Sequence, residues 1–371
     1  MLAYIALAAL AVFLSTGLGA AEESNELETV QEISLPELRN VVCVTMSRDG
    51  KFLYATGTAY AIQQGAVVIF KRDGDTGKLS LANTVKPPDL TGPMRIRLSS
   101  DEQFAAVADS YGAAVIVFKR NVETGGLTKL ATATGELVDI TDAQFSPDNH
   151  FVYTVSNTVL SVFKFEDQQL TMVQSEKMQK NLQALRPFVI SPDGHWLYAI
   201  CERPGTIILF HRNESSGKLE EAQKLSNAQE EITTLNGAFR ATESSDGRFF
   251  YVSAGRNLGD QAVTAFTVQP DGQLKLLQQF VNEMDDFTGF EGGNEIKVSP
   301  DGKWLFVLAS VSDRFFRFSR DSETGKLTFV TSQQAGVFQT GGASGVTFSP
   351  DSKYVYIADP VENAVQVYKM R

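Results

Sequence analysis

The chain has 371 residues, 43% of them hydrophobic, and its 44 acidic against 33 basic side chains give a formal charge of −11. The acidic residues are spread along the chain, which argues against a nucleic-acid reader, because that function needs a concentrated Lys/Arg face. No linker or low-complexity stretch divides the sequence, and its apolar content is enough to fill a large core.

The chain begins with a segment that reads as an export signal over residues 1–21. Leu2 to Leu14 is almost wholly apolar, and Gly19, Ala20 and Ala21 are the small residues a signal peptidase needs. No Lys or Arg precedes the apolar run, and the run nearly reaches spanning length, so an uncleaved anchor is the alternative. Either way residues 22–371 are expected outside the cytoplasm, periplasmic or secreted, with no further membrane span. Next comes Asn25 to Ile33, a strand-like run whose Leu27 stands 52 residues before Leu79.

From residue 47 the sequence repeats. A Ser opens a tight turn and an apolar, aromatic strand follows, at Ser47, Ser99, Ser146, Ser191, Ser244, Ser299 and Ser349. The spacings of 52, 47, 45, 53, 55 and 50 residues mark a repeat architecture. In the fullest copy Pro192 presets φ and Gly194 tolerates positive φ, which is the chemistry of a hairpin turn. A second polar turn ending in Leu recurs at Leu79, Leu127, Leu170, Leu219, Leu274 and Leu327, each preceded by a β-branched and aromatic strand such as Val67-Val68-Ile69-Phe70. Each repeat therefore holds four strands, a to d, and the fold expected is all-β, a seven-bladed β-propeller. The seventh repeat stops after its third strand, Ala364 to Tyr368. The Asn25–Ile33 segment is expected to supply the missing strand d and close the ring, leaving one domain over 22–371 with no open edge. A monomer is expected.

Strand a of each repeat alternates. One and three residues before the repeat Ser the side chains are nearly all apolar, as in Met46 and Val44, Leu98 and Ile96, or Phe348 and Val346. Two and four residues before it they are mostly polar, including Arg95, Arg97, Asp142, Arg240, Glu295 and Lys297. Period two separates two faces, so the apolar set packs between blades and the charged set lines the axial channel. Charges there must be paired or solvated. They form either an ion-pair lattice or a ligand site. The b–c and d–a loops, long at Gly57–Gly65 and Asn282–Gly293, lie on the face where a funnel opens.

Other chemistry is thin. None of the three His has metal-ligand spacing or a place on the funnel face, which argues against a zinc site and a Ser-His-Asp triad. Cys43 and Cys201 fall on opposite blades, too far apart for a disulfide, and are expected as buried free thiols. The loop with Glu283, Asp285, Asp286 and Glu291 offers oxygens to Ca²⁺ but lacks EF-hand spacing, so a solvated acidic loop is expected, with no cofactor and no metal site.

The full repeat pairs Ser-Pro-Asp-Gly and an aromatic strand with Thr-Gly-x-Leu, and it resembles the lactonase-like seven-bladed propellers. That is the family of bacterial 6-phosphogluconolactonase and carboxy-muconate cyclase. The resemblance covers the whole mature chain. It implies catalytic groups at three places. The family's fourth-blade Pro-Arg-His pattern falls on Leu185, Arg186 and Pro187, so Arg is kept and His is replaced. Its Asn-Glu pair falls on Cys201 and Glu202, and a fifth-blade loop Arg is similar to Arg256. A lactonase needs a base for water and cations for the oxyanion. Glu202 would be the base, and Arg186, Arg240 and Arg256 the cations. With the His replaced, the leading expectation is a non-catalytic propeller that binds a small molecule or protein partner. The alternative is a hydrolase of a sugar-acid or related lactone.

Overall fold

The computed structural model describes residues 27–59, 64–178, 182–227, 229, 231–255, 259–334 and 345–370. They form seven four-stranded antiparallel sheets. Blade 1 comprises Cys43–Met46, Phe52–Ala59, Gln64–Arg72 and Leu79–Val85, in the order a to d. Blade 2 comprises Pro93–Leu98, Phe104–Asp109, Ala114–Arg120 and Leu127–Thr134. Blade 3 comprises Asp142–Phe145, Phe151–Val155, Val159–Glu166 and Gln169–Lys177. Blade 4 comprises Gln183–Ile190, Trp196–Arg203, Thr206–Arg212 and Leu219–Ser226. Blade 5 comprises Ala238–Glu243, Phe249–Ala254, Ala262–Val268 and Leu274–Val281. Blade 6 comprises Gly293–Val298, Trp304–Ala309, Arg314–Arg320 and Leu327–Gln334. Blade 7 takes Gly345–Phe348, Tyr354–Asp359 and Ala364–Lys369 from the C-terminal end and Glu28–Ser34 as its strand d. Glu28 pairs with Lys369 and Ser34 with Ala364, so the two ends of the chain are hydrogen-bonded to each other as expected. Residues 1–26, which include the segment read as an export signal, lie outside the described residues.

The repeat Ser is explained by local hydrogen bonds. In all seven turns its Oγ donates to the Asp two residues on, at Asp49, Asp101, Asp148, Asp193, Asp246, Asp301 and Asp351. The same Oγ accepts the backbone N–H five residues on, at 2.9–3.0 Å. The hairpin is thus closed by a side chain that is itself buried.

The blades pack through their apolar stripes, one cluster at each junction. A polar clasp adds to this at most junctions. A strand-b Tyr donates to the turn carbonyl of the next blade: Tyr54 to Gly125, Tyr153 to Gly217, Tyr198 to Gly272, Tyr251 to Gly325 and Tyr356 to Gly77, at 2.7–2.9 Å. The Gly is required: Gly77 has φ +71°, and a Cβ there would stand 2.3 Å from the Tyr354 ring. The two blades without the Tyr face blades without the Gly turn. Blade 3 turns through Asp167 and Gln168, both at positive φ, and strands c and d of blade 7 come from opposite chain ends. Those two junctions are filled by apolar groups instead, Ala106 with Phe165 and Phe306 with Met370.

Both cysteines are buried and neither is in a disulfide. No helix among the described residues is long and apolar enough to cross a membrane.

Candidate functional site

Side chains of the charged stripe on strand a meet one another from different blades. Arg95 of blade 2 reaches Glu295 of blade 6 at 2.6 Å, and Arg240 of blade 5 approaches the same carboxylate at 3.7 Å. Arg97 pairs with the buried Asp142 of blade 3 at 3.1 Å. Lys297 lines a small throat of about 60 Å³ together with Arg95, Arg97 and Glu295.

Above the throat, on the face of the b–c and d–a loops, a cavity of about 550 Å³ opens. Its wall includes Arg95, Arg186 and Arg240, from blades 2, 4 and 5, with Phe239, Met94 and Asn294. Three local irregularities bring these residues there. In blades 2, 5 and 6 the a–b pairing gains one residue at Met94, Phe239 and Asn294, immediately before Arg95, Arg240 and Glu295. Such a bulge lets two consecutive side chains face one way. Blade 4 is irregular between Arg186 and Val189, at Pro187, which has no N–H to give to the ladder.

Phe239 was not legible as a site residue, because alternation sends it to the opposite face from Arg240. The bulge returns it to the cavity, where its ring lies 4.8 Å from the Arg186 guanidinium carbon and 4.3 Å from that of Arg240. Cation–π contact on a shared ring holds two like charges at a fixed separation.

Glu202 is fully buried and does not line the cavity. Its Oε2 accepts from Arg186 Nε at 2.5 Å and from Nη2 of the same guanidinium. That charge-assisted fork fixes the Arg186 plane. Arg186 and Glu202 therefore meet. Arg256 lies outside the described residues. Glu283, Asp285, Asp286 and Glu291 do not gather into a metal-holding group among the described residues.

The electrostatics of the site are set by burial and like charge. Burial, then the neighbouring Arg95, drives the Arg240 guanidinium well below its ordinary value. Its Nε is buried without a hydrogen bond, while Nη1 donates to the Phe239 carbonyl at 3.0 Å. Burial pushes the Glu295 carboxyl up, but Arg95 and Arg240 outweigh it and hold the group below the usual range. Burial, reinforced by Arg97, lowers Lys297 to about 8. Five cationic side chains, Arg95, Arg97, Arg186, Arg240 and Lys297, face three carboxylates, Asp142, Glu202 and Glu295. The axis of this acidic protein is thus a positive well, suited to an anion or a developing oxyanion.

Known proteins share this architecture. The 6-phosphogluconolactonase of Bacillus subtilis (strain 168) is 25% identical over 335 residues, covering 86% of this chain and 91% of that protein. The 6-phosphogluconolactonase of Formosa agariphila is 24% identical, covering 82% and 88%. Among solved structures, the periplasmic gluconolactonase of Pseudomonas aeruginosa superposes with a TM-score of 0.71 at 19% identity, covering 89% of this chain and 91% of that one. The sequence model of the family described as "Lactonase, 7-bladed beta-propeller" matches residues 12–141, 131–236 and 236–371, and the chain belongs to that family.

Proposed function

We propose that this protein is a lactone hydrolase that acts outside the cytoplasm on a sugar-acid lactone. The observation that carries the reading is the convergence of Arg95, Arg186 and Arg240 from three blades on one cavity. Relatives named as 6-phosphogluconolactonases over most of both chains favour it over the non-catalytic binder that the replaced His suggested. The apolar Leu2–Leu14 run and the likeness to a periplasmic gluconolactonase support the location. Outside the cytoplasm an unphosphorylated lactone is the expected substrate.

In this reading water adds to the lactone carbonyl carbon, and the carbonyl π electrons move onto oxygen. Arginines fixed in advance stabilise that oxyanion without reorganising. Collapse breaks the ring C–O bond, and the departing alkoxide takes a proton from solvent water to give the open hydroxy acid. Glu202 acts by positioning: it holds Arg186 and does not reach substrate. Among the described residues no carboxylate lines the cavity, so the attacking water passes its proton to solvent. Glu295, held ionised at the throat by Arg95 and Arg240, is a weak base that does not line the cavity, and turnover is expected to be modest.

The test is hydrolysis of glucono-1,5-lactone and of its 6-phosphate, with Arg186→Ala and Arg240→Ala as controls. Acceleration over buffer that both substitutions remove supports the reading. No acceleration with either lactone, or activity indifferent to both substitutions, overturns it.

A further inference from the structure

The junction between blades 4 and 5 has lost a cation that four other junctions hold. At those four an Arg ending strand c lies in the slot against the preceding blade: Arg72, Arg120, Arg212 and Arg320. Each donates from Nε to the clasp Tyr, at 2.6–2.8 Å. Each donates from Nη1 to a carbonyl of its own a–b turn, that of Gly50, Glu102, Gly194 or Gly302. Each lies over an aromatic ring of the preceding blade, at 5.2–6.0 Å to the centroid. Two of them also pair with the preceding blade's turn Asp, Arg72 with Asp351 and Arg212 with Asp148.

In blade 5 the matching residue is Val268, which pairs with Leu274 as Arg72 pairs with Leu79. The rest of the slot is intact. Tyr198 is in place on Gly272, Trp196 stands where the aromatic platforms stand, and Asp193 and Gly247 occupy the acceptor positions. The volume the Arg would fill is part of a cavity of about 550 Å³ lined by Trp196, Asp193, Gly247 and Val268.

A second departure falls at the same junction. The residue before the repeat Ser packs between blades and is apolar in six of them: Met46, Leu98, Phe145, Ile190, Val298 and Phe348. In blade 5 it is Glu243, which lines the cavity. Both its carboxylate oxygens are buried and neither has a hydrogen-bond partner. A buried acid without a partner is costly, and a slot shaped for guanidinium without one is open. The two defects are complementary.

We propose that the cavity between blades 4 and 5 binds the guanidinium group of a ligand, with Glu243 as its counter-ion and Trp196 as its platform. The guanidinium plane takes the place that Arg72 takes at the 7–1 junction, with donors toward the Tyr198 oxygen, the Gly247 carbonyl and Glu243. The site lies on the face of the a–b and c–d turns, opposite the funnel, so it is independent of the lactonase reading. Burial, with Asp193 and Asp246 nearby, pushes the unoccupied Glu243 up to about 8, so a bound cation would ionise it and release a proton at neutral pH.

The experiment is calorimetric titration of the full chain with agmatine, a guanidinium on a short alkyl stem, and with acetyl-Gly-Arg-Gly-amide. The two probes separate a free small molecule from a peptide-borne side chain. Saturable binding of one equivalent of either probe is expected. Glu243→Gln should weaken it about tenfold or more, the loss of one charge-assisted contact. Val268→Arg places the chain's own guanidinium in the slot and should abolish binding while raising the melting temperature. Absence of saturable binding by both probes overturns the proposal, as does binding that Glu243→Gln leaves unchanged. Should Val268→Arg fail to fold, the Glu243→Gln comparison alone decides. Lactone hydrolysis should be the same in wild type and Glu243→Gln, which keeps the two readings separable.

Discussion

The guanidinium of Arg95 donates a 2.6 Å hydrogen bond to Glu295, joining blade 2 to blade 6 across the propeller axis. Both side chains are almost completely buried, at 7% and 8% exposed. The pair is therefore part of the structure of the ring as well as the floor of the cavity.

Arg95→Leu leaves Glu295 buried with Arg240 at 3.7 Å as its remaining close cation. Breaking one side of a buried pair costs about 3 kcal/mol or more. The urea midpoint should fall, and Arg95→Leu with Glu295→Leu should recover part of the loss, because the uncompensated charge is then gone. A single variant as stable as wild type would mean that the charged ring is solvated and the pair contributes little.

Deleting Glu28–Ser34 removes strand d of blade 7 and exposes the edge of Ala364–Lys369. It also uncovers the apolar cluster between blades 7 and 1, to which Val30 and Ile33 contribute. The deleted chain should aggregate or lose its cooperative melt. Size-exclusion chromatography and a thermal scan read this directly, and a monomer with an unchanged transition would contradict it.

Arg186→Ala should lower kcat/KM for lactone hydrolysis by about 10²–10³, the usual loss for one oxyanion donor. Glu202→Gln weakens the fork on Arg186 and should lower it less. Because Glu202 acts through Arg186, the double variant should be no slower than Arg186→Ala alone. Additive losses would give Glu202 a role of its own. Arg256→Ala belongs in the same series, to assign the fifth-blade loop Arg.

Stability should depend on pH through Glu243. Its folded value of about 8 lies above the ordinary 4.5, because burial disfavours the charged form and the Asp193 and Asp246 carboxylates add to it. Tyr198 lies near it, Arg248 lines the same cavity and is held by Asp246 at 2.8 Å, and Arg48 and Lys297 line the adjoining pocket that Glu243 also borders. Between pH 4.5 and 8 the unfolded chain has released this proton and the folded chain retains it, so stability falls as pH rises through that window. Urea titrations at pH 5 and pH 8 should show a smaller difference for Glu243→Gln than for wild type. Equal slopes would mean that Glu243 is ionised at neutral pH.

The blade count and the strand order were legible because their determinants are local, and the closure followed from a seventh repeat short of one strand. The Ser47 hydroxyl, the Asp49 carboxylate and the Phe52 N–H close their turn within six residues, and the same chemistry recurs at each blade. The charged stripe was legible for a similar reason, since alternation along one strand separates the faces wherever the strand is regular. It failed where the strand is not: the bulge at Phe239 carries an aromatic ring into the cavity and between two arginines, against its parity. Glu202 could be assigned a place beside Arg186 but not its depth, because burial at the end of strand b depends on the neighbouring blade. Glu243 was in plain sight as the one acid at an apolar register. Its meaning came only from the junction, where Val268 stands in a slot that elsewhere holds Arg. Sequence by itself determined which blades form and where each strand turns, since those choices rest on hydrogen bonds between near neighbours. Tertiary structure alone decided which charges meet, because Arg95 and Glu295 are 200 residues apart and are brought together by the closing of the ring.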